Sequence, residues 1–244
     1  MSKASTCLDS PPTSVDYSLN RMHDVPCIKI GPIEATLING VFGDTVLHLQ
    51  LKNRSQSILF DLGDIALLPI KTVHKISDVF ISHGHMDHVF GFLMLLRNRM
   101  GIDGVCRIYG PKGIATIIHH QMSGFLWDRI DDRGPRFHVA EYDDHQLHWY
   151  ELQAGINEFH LIEITNVEDS ILFKDNHCVI RGTLLDHGTD VVAYSLSSAT
   201  QFSFYRDKLQ DQHIETGPWI KELKDLLMLN ALDKLITLPD GKAM

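Results

Sequence analysis

Six consecutive positions, His83-Gly84-His85-Met86-Asp87-His88, hold three imidazoles and a carboxylate. A buried core cannot absorb that density, because each polar group would need a partner of its own. A metal ion removes the conflict, since imidazole nitrogen and carboxylate oxygen are the donors zinc prefers at roughly 2.0–2.2 Å. The flanks set the local structure. Asp78-Val79-Phe80-Ile81-Ser82 is β-branched and aromatic with polar ends, which reads as a short buried strand. Val89 to Arg97 is long and apolar, with Leu and Met at helical spacing and cations at its end, which reads as a buried helix.

The cluster is therefore a strand-to-helix loop. His83 and His85, two apart, can bind one ion from the same side. Asp87 and His88, at the helix start, can face a second. Ions roughly 3.5–4 Å apart suit hydrolysis, because one can activate water while the other holds the substrate oxygen. A merely polar surface loop would not need this spacing, this strand and this helix together. A structural zinc is the other bland reading. Such sites are mostly Cys-rich and closed, and this cluster has no Cys.

A chain of 244 residues is long enough for one sizeable α/β core. No apolar run of about 18 residues is present, so no membrane span is expected. Residues 1–25 are Ser-, Pro- and Asp-rich without an apolar centre, which reads as a mobile tail and not a signal peptide. Cys7, Cys27, Cys106 and Cys178 show no pair spacing, so free thiols and a cytoplasmic location are expected. The formal charge of -9 argues against a broad basic nucleic-acid surface, though not against a local basic patch.

Strands are expected at Ala35–Val41, Thr45–Leu51 and Ser57–Asp61, with Gly43-Asp44 as a tight hairpin. A helix is expected over Ile65–His74. Asp61 ends a buried strand just before the cluster, where it can orient a ligand histidine or cap that helix. After the cluster come a strand at Val105–Tyr109 and a helix from Ile114 to Gln121. Further strands follow at Arg136–Tyr142, His148–Gln153, Glu158–Ile164, Cys178–Leu185 and Val191–Leu196. The mixture implies sheets flanked by helices. Beyond Ser197 strand patterning stops, and amphipathic helices are expected at Phe204–Leu209 and Pro218–Leu229.

His187, in Leu185-Asp186-His187-Gly188, repeats the strand-end setting and could supply a third imidazole. Competing histidines are less well placed. His119 and His120 are helix neighbours that point apart. Asp143, Asp144, His145 and His148 lie in a polar stretch that reads as an exposed turn.

These residues resemble a known family. Ser82-His83-Gly84-His85-Met86-Asp87-His88 is similar to the HxHxDH signature of the metallo-β-lactamase superfamily, and Leu59-Phe60-Asp61-Leu62-Gly63 resembles its first motif. Three further segments resemble the ribonuclease Z branch, the tRNA 3′-end processing endonucleases. They are Ile108-Tyr109-Gly110-Pro111-Lys112-Gly113, Leu185-Asp186-His187-Gly188 with Ala193-Tyr194, and Thr216-Gly217-Pro218-Trp219-Ile220-Lys221-Glu222-Leu223-Lys224.

The resemblance implies an αββα sandwich and two zinc sites, with His83, His85 and His187 on one ion and Asp87 and His88 on the other. It also implies a precursor tRNA substrate gripped by an arm, with Lys208, Lys221 and Lys224 on phosphates. A zinc-bound water is expected to attack the phosphodiester, with Asp87 taking its proton. The family's bridging aspartate, its His-Glu-Ala-Thr-like motif and its last metal histidine have no counterpart here. The C-terminal half of the sandwich and the second site are thus expected to be incomplete. The expected division is a tail at 1–25, a metallo-hydrolase core at 26–196, and an arm-like helical appendage with a truncated end at 197–244. Two rival readings share the scaffold: a hydrolase of a small ester, lactam or cyclic nucleotide, and an inactive relative whose exposed sheet face and edge would favour a homodimer.

Overall fold

The computed structural model describes residues 8–9, 25–52, 54–130, 133–198, 205–211, 214–228, 234–238 and 241. The expected tail lies outside them, except for Leu8–Asp9 and Val25, and so do Phe204 and Leu229 of the two expected helices. The chain divides into two compact units, Met1–Ser198 and Ala199–Met244.

In the first unit, ten strands form one sheet in chain order. They are β1 (Leu8–Asp9), β2 (Cys27–Ile30), β3 (Ile33–Leu37), β4 (Leu47–Leu51), β5 (Ser57–Phe60), β6 (Ile76–Phe80), β7 (Cys106–Pro111), β8 (Arg136–Tyr142), β9 (Gln146–Gln153) and β10 (His160–Asn166). The central strands β5 to β8 run parallel. Parallel neighbours need crossovers. These are supplied by α1 (Ile70–Val73), by α2 (Met86–Val89) with α3 (Phe92–Asn98), and by α4 (Ile114–Ser123). A second sheet holds β11 (Ile171–Lys174), β12 (Cys178–Asp186) and β13 (Asp190–Ser198), all antiparallel.

Strand alternation divides the core between two faces. Leu59, Val79, Ile108 and Val139 pack with the helices, against Phe92, Leu95 and Ile118. Their neighbours Ile58, Phe80, Tyr109 and Ala140 pack with Phe173, Ile180 and Val192 of the second sheet. The rings of Phe80 and Tyr109 stack at 4.5 Å and 8° in this inter-sheet layer. The unit is thus helices on sheet on sheet. Among its described residues no helix covers the outer face of the second sheet.

Several expected elements shift. The single helix expected over Val89–Arg97 is two, because the chain turns at Gly91. A Cβ there would lie 2.0 Å from the Gly63 carbonyl oxygen, so only glycine permits this approach. The helix over Ile65–His74 shrinks to α1, with Pro69 at its N-cap. The tight hairpin at Gly43-Asp44 is a longer loop, in which Asn39 Nδ2 donates to the carbonyls of Asp44 (2.8 Å) and Asp64 (2.7 Å). Cys106 and Cys178 are buried free thiols, but Cys27 is disulfide-bonded. Sequence spacing did not report which segments the topology brings side by side.

The second unit is described in pieces, with α5 (Arg206–Asp211) and α6 (Trp219–Met228) as its helices. Trp219 Nε1 donates to the Glu215 carbonyl at 3.0 Å, which fixes the start of α6. No helix among the described residues is long and apolar enough to cross a membrane.

Candidate metal centre

The His83–His88 loop leaves the carboxyl end of β6, beside the carboxyl end of β5. In open α/β sheets this is the edge where ligands bind. Asp61 follows β5 directly and adopts a left-handed backbone, φ 57°, which Asp tolerates better than most side chains. That turn places its nearly buried carboxylate against the loop. Asp61 Oδ1 accepts from the Ser82 backbone N–H (2.7 Å) and from Ser82 Oγ (2.8 Å). Its Oδ2 lies 2.8 Å from His88 Nδ1. Both carboxylate oxygens are engaged in this way, so Asp61 orients a histidine and caps no helix.

Ser82 links the whole loop. Its Oγ lies 3.0 Å from His83 Nδ1 and 3.1 Å from His88 Nδ1. An Oγ that donates to Asp61 has lone pairs left to accept N–H from those rings. In the tautomer with the proton on Nδ1, each ring donates there and its Nε2 is left to coordinate. His83 Nε2 faces His85 Nδ1 at 2.9 Å. His88 Nε2 faces Asp87 Oδ2 at 3.3 Å. The His83 ring is 4.0 Å from that of His88 and 4.5 Å from that of His85, centroid to centroid. Burial, then the His88 and His85 imidazoles, lower the pKa of His83 below its ordinary value, against the opposing pull of Asp61 and Asp87.

The supporting frame is backbone. Leu62 N–H donates to the His88 carbonyl and Gly91 N–H to the Leu62 carbonyl, both at 2.8 Å, so the segment after β5 is tied to both ends of the turn after α2. From the second sheet, Val192 N–H donates to the Ser82 carbonyl at 2.8 Å, and Tyr194 hydroxyl donates to the Ile81 carbonyl at 2.8 Å. Burial, and then the nearby Asp61 charge, push the Tyr194 pKa well above the ordinary tyrosine value. Ser82 and Tyr194 entered the sequence reading only as members of motifs, and Val192 only inside an expected strand, with no role of their own. The available signal was a lone hydroxyl at the end of an otherwise apolar strand.

The donor chemistry fits zinc. The donors come as two facing pairs, His83 with His85 and Asp87 with His88. Two ligands on one tetrahedral zinc would sit roughly 3.3 Å apart, close to both spacings. No three His, Cys, Asp or Glu side chains are arranged to hold an ion among the described residues. His187 does not complete the first pair. It lies on the exposed turn between β12 and β13, where its backbone N–H donates to the Thr189 carbonyl at 3.1 Å. Register pairs Leu184 with Val192, and His187 follows β12 in the turn that leads to β13. Among the other described histidines, His148 Nε2 pairs with Asp143 Oδ2 at 2.9 Å on a hairpin, and the rings of His119 and His120 stand 6.2 Å apart on α4. In the second unit, Lys208 Nζ stands 5.2 Å from the centre of the Tyr205 ring, Lys221 is exposed on α6, and Lys224 is half-buried.

The amino-acid sequence is 30% identical over 182 residues to ribonuclease Z of Bacillus cereus, covering 72% of this chain and 50% of that protein. It is 26% identical over 208 residues to ribonuclease Z of Listeria innocua, covering 82% and 56%. The chain is ribonuclease Z-like in sequence. Its fold is mixed α/β. This ribonuclease Z-like chain spans about half the length of the curated relatives it matches. No protein-family model matches it. Among solved structures it is similar to human tRNase Z, short form, with a TM-score of 0.39 and 19% identity over 64% of this chain and 57% of that one.

Proposed function

We propose that this ribonuclease Z-like chain is a zinc-dependent phosphodiesterase acting on precursor tRNA near the 3′ end. One observation carries the reading: the loop after β6 brings its donors together as two facing pairs, His83 Nε2 with His85 Nδ1 at 2.9 Å and His88 Nε2 with Asp87 Oδ2 at 3.3 Å. His83 and His85 would hold one ion, and Asp87 with His88 a second. His187 is our candidate for a further nitrogen on the first, because its hairpin is bonded to the site loop through Val192. A zinc ion bound there supplies Lewis acidity and water ionised near neutral pH.

The remaining work falls to the chain. Asp61 fixes the His88 tautomer by accepting at Nδ1, and Ser82 does the same for His83. The Asp87 side chain is 58% exposed, so a proton accepted at its carboxylate can pass to solvent. Lys208, Lys221 and Lys224 would contact backbone phosphates and add affinity without reading bases. RNA as substrate is supported by the names of the curated relatives, and tRNA by the arm-like segment at Thr216–Lys224.

The test is cleavage of precursor tRNA by the full chain with zinc. Cleavage that His85→Ala abolishes is expected. Retained turnover in that variant, with unchanged metal content, would overturn the assignment. One observation favours a second reading, a non-catalytic metal-binding module: no three donors are arranged to hold an ion among the described residues. Zinc uptake by the full chain without any RNA cleavage would select it.

A further inference from the structure

The opposite end of β6 is built differently. Asp78, at its second turn of the pleat, is fully buried. Its Oδ1 accepts from Arg107 Nε and Nη2, both at 2.7 Å. Its Oδ2 accepts from Arg54 Nη2 at 2.9 Å and from Ser77 Oγ at 2.6 Å. One carboxylate therefore holds two guanidiniums. The ring of Phe173 lies beneath both, 5.5 Å from Arg54 Cζ and 5.2 Å from Arg107 Cζ. A second carboxylate, Asp175, places Oδ2 3.4 Å from Arg54 Nε and accepts at Oδ1 from the backbone N–H groups of His177 and Cys178.

Donors and acceptors are unequally used here. Every carboxylate oxygen in the cluster is occupied. Yet Arg54 Nη1 is buried without a partner, on a side chain only 8% exposed, and His177 Nδ1 is buried without a partner as well. Arg54, Ser77, Arg107 and His177 line one cavity of about 330 Å³. Buried donors without acceptors are uncommon and costly in a native fold. Gln56, Asp175 and Asn176 line the same cavity, and both carboxylates of the cluster are already held by guanidiniums. An acceptor-rich anion finds guanidinium donors already fixed in place, beside an imidazole that donates from Nδ1 in one tautomer.

We propose that this cavity binds a small oxyanion of the phosphate type, at the end of β6 remote from the metal-donor loop. The site is independent of the phosphodiesterase reading and uses none of its residues.

The experiment titrates the full chain with inorganic phosphate at constant ionic strength, set with chloride, and follows the thermal midpoint together with the arginine side-chain N–H resonances. Saturable stabilisation is expected, with the Arg54 and Arg107 resonances moving. Affinity should fall about tenfold in Arg107→Lys, which keeps the charge but loses the fork, and in His177→Ala. Three results would overturn the site: no saturable response, an affinity in both variants equal to that of the parent, or changes confined to the His83–His88 loop. Should Arg107→Lys fail to fold, His177→Ala decides alone, because its free ring nitrogen supports nothing else in the fold.

Discussion

The two ends of β6 use the same device for opposite purposes. Each is organised by a carboxylate withdrawn from water, Asp61 at the carboxyl end and Asp78 at the amino end. Asp61 holds an imidazole and a hydroxyl, and what gathers beside them is a set of imidazole nitrogens and a carboxylate, suited to a cation. Asp78 holds guanidiniums, which have no lone pairs to offer, so what remains is N–H, suited to an anion. A buried acid does not itself say what a site binds. The residues it orients do.

The largest expected effect breaks the amino end. Asp78→Ala leaves two guanidiniums facing each other without their shared counter-charge, and should cost about 3–5 kcal/mol of stability. Urea unfolding checks this, and an unchanged midpoint would mean that the cluster is not structural. Zinc affinity of the folded fraction should stay as it was, which separates the two ends.

Asp61→Ala is the matching change at the carboxyl end. Its effect should fall mainly on metal affinity, lowered about 10–100-fold as for other groups that orient ligand histidines. A competition titration against a zinc chelator reads it directly. Equal affinity in this variant would show that His88 needs no orienting partner.

Alkaline pH should weaken the amino end first. The thiols of Cys106 and Cys178 are both raised to about 12, chiefly by burial, and both lie within the field of Asp78. For an acid whose folded value is raised, the contribution to stability is whole below the unfolded value. It is lost as pH climbs towards the folded one. Stability should therefore decline between roughly pH 9 and 12, and less steeply in Cys106→Ala/Cys178→Ala. The same slope in both proteins would exclude the thiols as the cause.

The smallest change belongs to the second unit. Lys221→Ala should weaken precursor tRNA binding uniformly across sequences and lower the salt dependence by about one phosphate contact. A salt titration of binding with an unchanged slope would remove Lys221 from the phosphate contacts.

The carboxyl end was largely legible in the sequence, because its donors are consecutive and their spacing is local. β8 was read at its observed bounds, Arg136–Tyr142, since alternation and flanking turns were both clear. Asp61 could be placed beside the loop because a strand end constrains where its next residue goes. The amino end was not legible. Arg54, Asp78, Arg107 and Asp175 come from four separate segments and meet only through the pairing of β6 with β7 and the packing of β11 over them. Gly91 illustrates the same limit. Its role depends on Gly63, twenty-eight positions away, so periodicity alone extended a helix through it. The four-residue strands β2 and β11 were missed, whereas β5, of the same length, was read from its apolar run Ile58-Leu59-Phe60.

The most direct test of the central claim, that the loop after β6 exists to hold a divalent ion, is calorimetric titration of zinc into the full chain and into His85→Ala. Saturable uptake by the parent, weakened at least about tenfold in the variant, is the expected result. Uptake that is absent from the parent, or identical in the two proteins, would contradict it.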